Sequence, residues 1–259
     1  MNITIKTQKD IAIMREGGQI LARVLQDVVS HVEPGIALNE LDALAEREIR
    51  AAGAEPAFLG YQSSRKDIPY PATLCISVND EVVHGIGTRK RMLCAGDIVG
   101  LDIGLRYPTR TGLYVDMAVS LGVGPMNAKD ALLVATTRRA LEEAIHSIRP
   151  GAQTRELSRI IQRICEQKGF SVVRDLTGHG IGKALHEDPP IFCYDDPHLP
   201  TIELKEGMVI CIEPMVIAGD WRVALDSDGW TVRSRDKSRA AHFEHTIAVT
   251  KDGYEVLTV

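Results

Sequence analysis

Two ten-residue stretches decide how this chain folds: Leu93-Cys94-Ala95-Gly96-Asp97-Ile98-Val99-Gly100-Leu101-Asp102 and Leu204-Lys205-Glu206-Gly207-Met208-Val209-Ile210-Cys211-Ile212-Glu213. At a separation of 111 residues Leu93 meets Leu204, Gly96 meets Gly207, Ile98, Val99 and Leu101 meet Val209, Ile210 and Ile212, and Asp102 meets Glu213. A short apolar run after a glycine turn reads as a buried strand. The pattern therefore predicts two equivalent strands, each ending on a carboxylate.

Outward from these strands a second repeat appears. Pro34, Gly35, Glu40, Leu41 and Gly53 find the same residue types 116 positions on, at Pro150, Gly151, Glu156, Leu157 and Gly169. Met14, Leu21, Val24, Leu25 and Val28 recur at helical spacing before Pro34, and Leu41, Leu44, Ala45 and Ile49 mark a second helix over about Leu38 to Ala52. After Asn127 the pattern returns on Leu132, Leu133, Leu141, Ala144, Ile145 and Ile148, then on Leu157, Ile160, Ile161 and Ile164. Further strands are expected at Ala72 to Val78, Leu113 to Leu121, Arg222 to Leu225 with Trp230 to Val232, Ala241 to Thr250 and Tyr254 to Leu257. The expectation is one catalytic α/β domain over 1–259, built from similar halves at about 1–125 and 126–259 that share a core and enclose a cleft.

The 259 residues are 44% hydrophobic and 25% charged, an ordinary globular balance, and a net charge of -5 argues against a broad nucleic-acid footprint. The first nineteen residues mix charge into the apolar positions, so they contain no signal-peptide core, and no apolar run approaches a membrane span. Five cysteines, Cys75, Cys94, Cys165, Cys193 and Cys211, without Cys-x-x-Cys spacing suit a reducing compartment. A cytoplasmic protein is expected.

Asp102, Asp116, Glu213 and Glu244 all lie in apolar strand-like runs, where an unpaired carboxylate is costly to bury. His179 adds an imidazole on the glycine-rich turn Gly178-His179-Gly180-Ile181-Gly182. Four hard oxygen donors and one imidazole carry charge enough for two divalent ions. That turn is neither a phosphate loop, because Ala184 follows Lys183 where Ser or Thr is required, nor a dinucleotide fingerprint, which needs a third glycine. His186 fits no His-Glu-x-x-His helix, so spacing alone does not make it a ligand, and His31, His146 and His198 read as surface residues.

Ser77-Val78-Asn79-Asp80-Glu81-Val82-Val83-His84-Gly85, Gly178 to Gly182 with His186-Glu187, Ile212-Glu213-Pro214 and Phe243-Glu244-His245-Thr246 stand in an order that resembles type I methionine aminopeptidases, over nearly the whole chain. The resemblance implies the pita-bread fold, two pseudo-symmetric α/β halves around a curved antiparallel sheet. It implies that Asp102, Asp116, His179, Glu213 and Glu244 hold two metal ions, with Asp116 and Glu244 bridging, and that His84 and His186 contact substrate near the scissile bond. The ions (Co, Mn, Fe, Zn or Ni) would activate a water, and Glu213 would shuttle its proton. By the same resemblance Phe58, Tyr61, Tyr70, Cys75, His84, Leu185 and Trp230 form the methionine pocket. Departures from the family are a longer stretch at Gln62 to Pro69, about three extra residues in Arg106 to Thr111, Leu185 in place of a phenylalanine and Val83 in place of a cysteine.

The expected partners are the N-terminal methionine of nascent polypeptides and, transiently, the ribosome, with no DNA and no membrane, for a protein acting as a monomer. A proline-directed peptidase of the same fold is the nearest rival; a catalytically silent binding relative is another.

Overall fold

The computed structural model describes residues 1–62, 64 and 68–259. The four helices expected from periodicity are all present: α1 (Gln8–Ser30), α2 (Leu38–Ala51), α3 (Ala128–His146) and α4 (Thr154–Glu166). Thr7 starts α1 with a capping box, its hydroxyl accepting from the Asp10 amide at 3.2 Å while Asp10 accepts from the Thr7 amide at 2.9 Å. Asn127 caps α3 with its side-chain oxygen, accepting from the Asp130 amide at 2.9 Å. α2 and α4 begin at Leu38 and Thr154, again 116 residues apart.

The strand Ile98–Tyr107 is paired antiparallel with Leu74–Val78 and Leu113–Gly122, and its far end also takes Glu55–Pro56. In the second half an antiparallel sheet runs in the order Tyr254–Val256, His245–Val249, Val209–Ile212, Gly178–Gly180, Glu187–Ile191. α1 and α2 bury Met14, Leu21, Leu25, Leu41 and Ile49 against the first sheet, and α3 and α4 bury Leu133, Leu141, Leu157 and Ile161 against the second. Each such side chain contributes roughly 1.5 to 3 kcal/mol when fully buried. α1 lies so close to the C-terminal segment that a Cβ at Gly18 would stand 2.0 Å from the Leu257 carbonyl oxygen.

The structure corrects three details of the strand expectations. Asp102 does not end its strand, which continues to Tyr107 because Leu113–Gly122 pairs with it along its whole length. Its counterpart breaks at Glu213-Pro214, proline having no N–H for the ladder, and resumes as Met215–Ile217. The expected strand 241–250 is likewise two strands, Ala240–His242 and His245–Val249, interrupted at Phe243-Glu244. The hairpin around Trp230 pairs Val223–Leu225 with Val232–Ser234, its second strand starting at Val232 and not Trp230 because Asp228 ties up the Trp230 and Thr231 amides at 2.9 and 2.8 Å.

The two sheets meet along a seam. Glu244 N donates to the Ala118 carbonyl at 2.9 Å, and Ala118 N to that of Glu244 at 3.3 Å. On one side of this bridge Thr246 Oγ1 accepts from Asp116 N at 2.9 Å and donates to Asp116 O at 2.8 Å; on the other Ser120 Oγ accepts from His242 N and donates to His242 O. Alternate residues 116, 118 and 120 thus face 246, 244 and 242.

Candidate metal centre and substrate cavity

Strand alternation sends Asp102 and Asp116 to one face, since Asp102 stands opposite Ala118 and Asp116 opposite Gly104. Gly104 leaves the needed space: a Cβ there would come within 3.3 Å of Asp116 Oδ1 and 2.9 Å of the Phe58 ring. Glu244 joins them across the seam. Asp102, Asp116 and Glu244 form one cluster of donor atoms within 4.8 Å of one another, and His179, Cys211 and Glu244 form a second, so Glu244 belongs to both. Glu213 faces His179 Nε2 at 3.4 Å and His242 Nε2 at 3.7 Å.

Asp102 Oδ1, Asp116 Oδ1 and Glu244 Oε1 are buried without a hydrogen-bond partner. Burial pushes the Asp102 carboxyl up to about 7. Burial and the neighbouring acids push Asp116, Glu213 and Glu244 well above the carboxylate range. Burial holds His179 neutral, down to about 3. Its Nδ1 lies 2.8 Å from the Gly180 carbonyl; an Nδ1–H donating there leaves Nε2 as a lone-pair donor. Clustered acids with orphaned oxygens beside a neutral imidazole fit divalent cations, which supply the missing counter-charge. The Cys211 thiol, pushed far up by burial and by Glu244 and Asp116, lies against Thr246 Oγ1 at 3.5 Å.

Asp102, Asp116, His179, Glu213 and Glu244 line a cavity of about 490 Å³, as do all the other residues expected at the site from sequence. Phe58, Tyr70, Cys75 and Leu185 form a buried apolar wall. Trp230 closes it edge-on to Tyr70, ring centres 5.2 Å apart, and to His84, 6.4 Å apart. Tyr70 donates from Oη to the Gly85 carbonyl at 2.9 Å. At the mouth Tyr61 Oη lies 2.6 Å from His186 Nδ1, joining the two halves. Part of the longer stretch 62–69, residues 63 and 65–67, lies outside the described residues.

His84 reaches the cavity from a left-handed backbone, φ 57°, a conformation that costs a non-glycine residue about 1 kcal/mol or more. Behind it Glu81 accepts from the two terminal guanidinium nitrogens of Arg89 at 2.8 and 2.7 Å, from Arg233 at 2.9 Å, Arg91 at 3.1 Å and the Val78 amide at 2.9 Å. Arg233 also binds Asp226 at the base of the Trp230 hairpin. This network ties the His84 turn to Trp230. Burial, with His186 nearby, keeps His84 neutral, down to about 4.

Sequence reasoning missed His242, Met215 and the segment Asp175-Leu176-Thr177. His242 is buried beside Glu213, and the others line the cavity. Period-two alternation from Glu244 was the available signal for His242; no local pattern marks the rest.

The fold and the acid cluster define a class: residues 12–251 match the model of metallopeptidase family M24, and the chain belongs to that family. Within it, the chain is 46% identical over 257 residues to the methionine aminopeptidase of Mycoplasma capricolum, covering 99% of this chain and 98% of that one. It superposes on the crystal structure of methionine aminopeptidase from Thermotoga maritima with a TM-score of 0.93 at 41% identity, covering 99% of both chains. Similarity to prolidase from Pyrococcus furiosus is lower, TM-score 0.76 at 26% identity, covering 98% of this chain and 65% of that one.

Proposed function

We propose that the chain is a methionine aminopeptidase that uses two divalent ions, held by Asp102, Asp116, His179, Glu213 and Glu244, to release the first methionine of nascent polypeptides whose second residue is small. The observation that carries this reading is Glu244, which is shared between two donor clusters and lines a cavity that also has an apolar wall. Bound ions would polarise the scissile carbonyl and lower the pKa of the attacking water.

The chain's own residues do the rest. Glu213 accepts the proton that the water loses and returns it to the leaving amide nitrogen. His84 and His186, both lining the cavity, orient the scissile peptide. The Phe58, Tyr70 and Trp230 rings and the Cys75 sulfur receive a flexible thioether, and the limited cavity excludes long side chains and bulk water. The full-length match to methionine aminopeptidases favours this over a proline-directed activity. Five free cysteines support a reducing compartment and so a cytoplasmic location; among the described residues no helix is long and apolar enough to cross a membrane.

The test compares Met-Ala-Ser with Ala-Pro peptides in the presence of Mn(II) or Co(II), with metal content measured in parallel. Release of methionine from the first peptide alone is the expected result; turnover of Ala-Pro alone would overturn the reading.

A further inference from the structure

The loop from Gly182 to Glu187 carries two residues of the cavity, Leu185 and His186, and is held from outside by the N-terminal segment. Asn2 N donates to Asp188 at 2.6 Å, Ile3 bridges to Asp188, Thr4 donates from its hydroxyl to Glu187, and Lys6 N donates to the Gly207 carbonyl at 2.8 Å. Lys6 Nζ then reaches Glu187 Oε2 at 2.7 Å, with the two side chains only 2% and 8% exposed. The other oxygen, Oε1, accepts from the Lys183 and Ala184 amides at 2.6 and 3.0 Å. Gly182 is in contact with the lysine stem: a Cβ there would meet Lys6 Cε at 2.4 Å.

One carboxylate therefore closes the turn with one oxygen and anchors it to the N-terminal segment with the other. A buried ion pair adds little stability over a well-packed apolar pair, whereas it does fix geometry. The two amides that Glu187 gathers immediately precede Leu185.

We propose that Lys6 is a positioning residue of the reaction: acting through Glu187, it holds Leu185 and His186 at the cavity wall, and so helps set the size limit on the residue after methionine. The inference rests on the aminopeptidase reading. It assigns part of that selectivity to a strap that touches no substrate.

The test uses the full-length, metal-loaded protein and its Lys6→Met variant, which keeps the stem's bulk and removes the charge. Three quantities are measured: bound metal, hydrogen exchange of the segment 182–188, and kcat and KM for Met-Ala-Ser and Met-Val-Ser. Metal content is expected to match wild type, exchange at 182–188 to accelerate while 98–107 stays protected, and kcat/KM for Met-Ala-Ser to fall about 10-fold, mainly through KM. The Met-Ala to Met-Val ratio is expected to shift by about 5-fold or more, within the range that small steric changes produce. A purely structural pair would lower the melting temperature and leave exchange and the ratio of the folded enzyme at wild-type values; that result overturns the proposal. Should Lys6→Met fail to fold, Glu187→Gln is measured in the same way, since one amide oxygen cannot serve both Lys6 and the turn. Failure of the wild type on both peptides would instead sink the aminopeptidase reading, with the exchange data still deciding whether Lys6 orders the loop.

Discussion

Glu213 Oε1 lies 3.4 Å from His179 Nε2. The acid that ends one repeated strand thus meets the imidazole of the glycine-rich turn, and His242 stands 3.7 Å from its other oxygen. A group so placed at the edge of both donor clusters is suited to moving a proton. Glu213→Gln is expected to keep at least one bound metal while kcat falls by about 10²-fold to 10⁴-fold. Metal analysis with steady-state kinetics checks this, and near-wild-type turnover would remove Glu213 from the role.

Metal removal should change the pH dependence of stability. Asp102, raised to about 7, and Asp116, Glu213 and Glu244, raised well above the carboxylate range by burial and by one another, bind protons more tightly in the folded state than in the unfolded chain, so they withdraw stability as pH rises. His84 and His245, lowered to about 4, and His179 and His242, lowered to about 3, oppose this only below 6.5, where unfolded imidazoles become charged. In chelator, the melting temperature is expected to fall as pH goes from about 6.5 to about 8.5. Added Mn(II) should flatten or reverse the slope by pairing the ionised acids. A chelated protein whose melting point holds steady or climbs over that window would contradict the assignment.

Leu185 is 4% exposed and lies in the cavity wall; under the proposed function it also borders the space for the second residue, which a larger ring would narrow. The wild type is expected to cleave Met-Val and Met-Thr peptides appreciably. Leu185→Phe should reduce Met-Val relative to Met-Ala by roughly 10-fold or more. Unchanged kcat/KM ratios for Met-Ala, Met-Val and Met-Leu would place Leu185 away from that subsite.

Glu81, with a side chain 0% exposed, is the shared ion-pair partner of Arg89, Arg91 and Arg233. Glu81→Ala leaves three guanidinium groups facing one another, a loss of about 3 kcal/mol, the low end for a broken buried pair because the arginines keep some access to water. Urea unfolding measures it. Folded variant should also bind substrate more weakly, since the His84 turn and the Trp230 hairpin lose their common anchor.

The helices and the cluster of buried acids were legible because each depends on local pattern: apolar spacing in Met14 to Val28, and carboxylates such as Asp116 standing in otherwise apolar runs. Where strands end was less legible. Asp102 continues into a long hairpin and Glu244 sits in a break, and both outcomes depend on which strand lies alongside. The contacts of Tyr61 with His186 and of Lys6 with Glu187 span 125 and 181 residues. No sequence period encodes such pairs; they exist only once the halves have closed.

The seam between the sheets has a mechanical consequence. Asp116 and Glu244 project from the same backbone rungs, around Ala118, that join one half to the other. Cations gathered by these two side chains would therefore clamp the joint as well as serve the chemistry. Reciprocity then requires that anything loosening the joint weakens the grip on the ions by the same free energy. Remote damage, such as crowding Gly18 against Leu257, should accordingly first appear as a leakier metal site, before either half loses its helices.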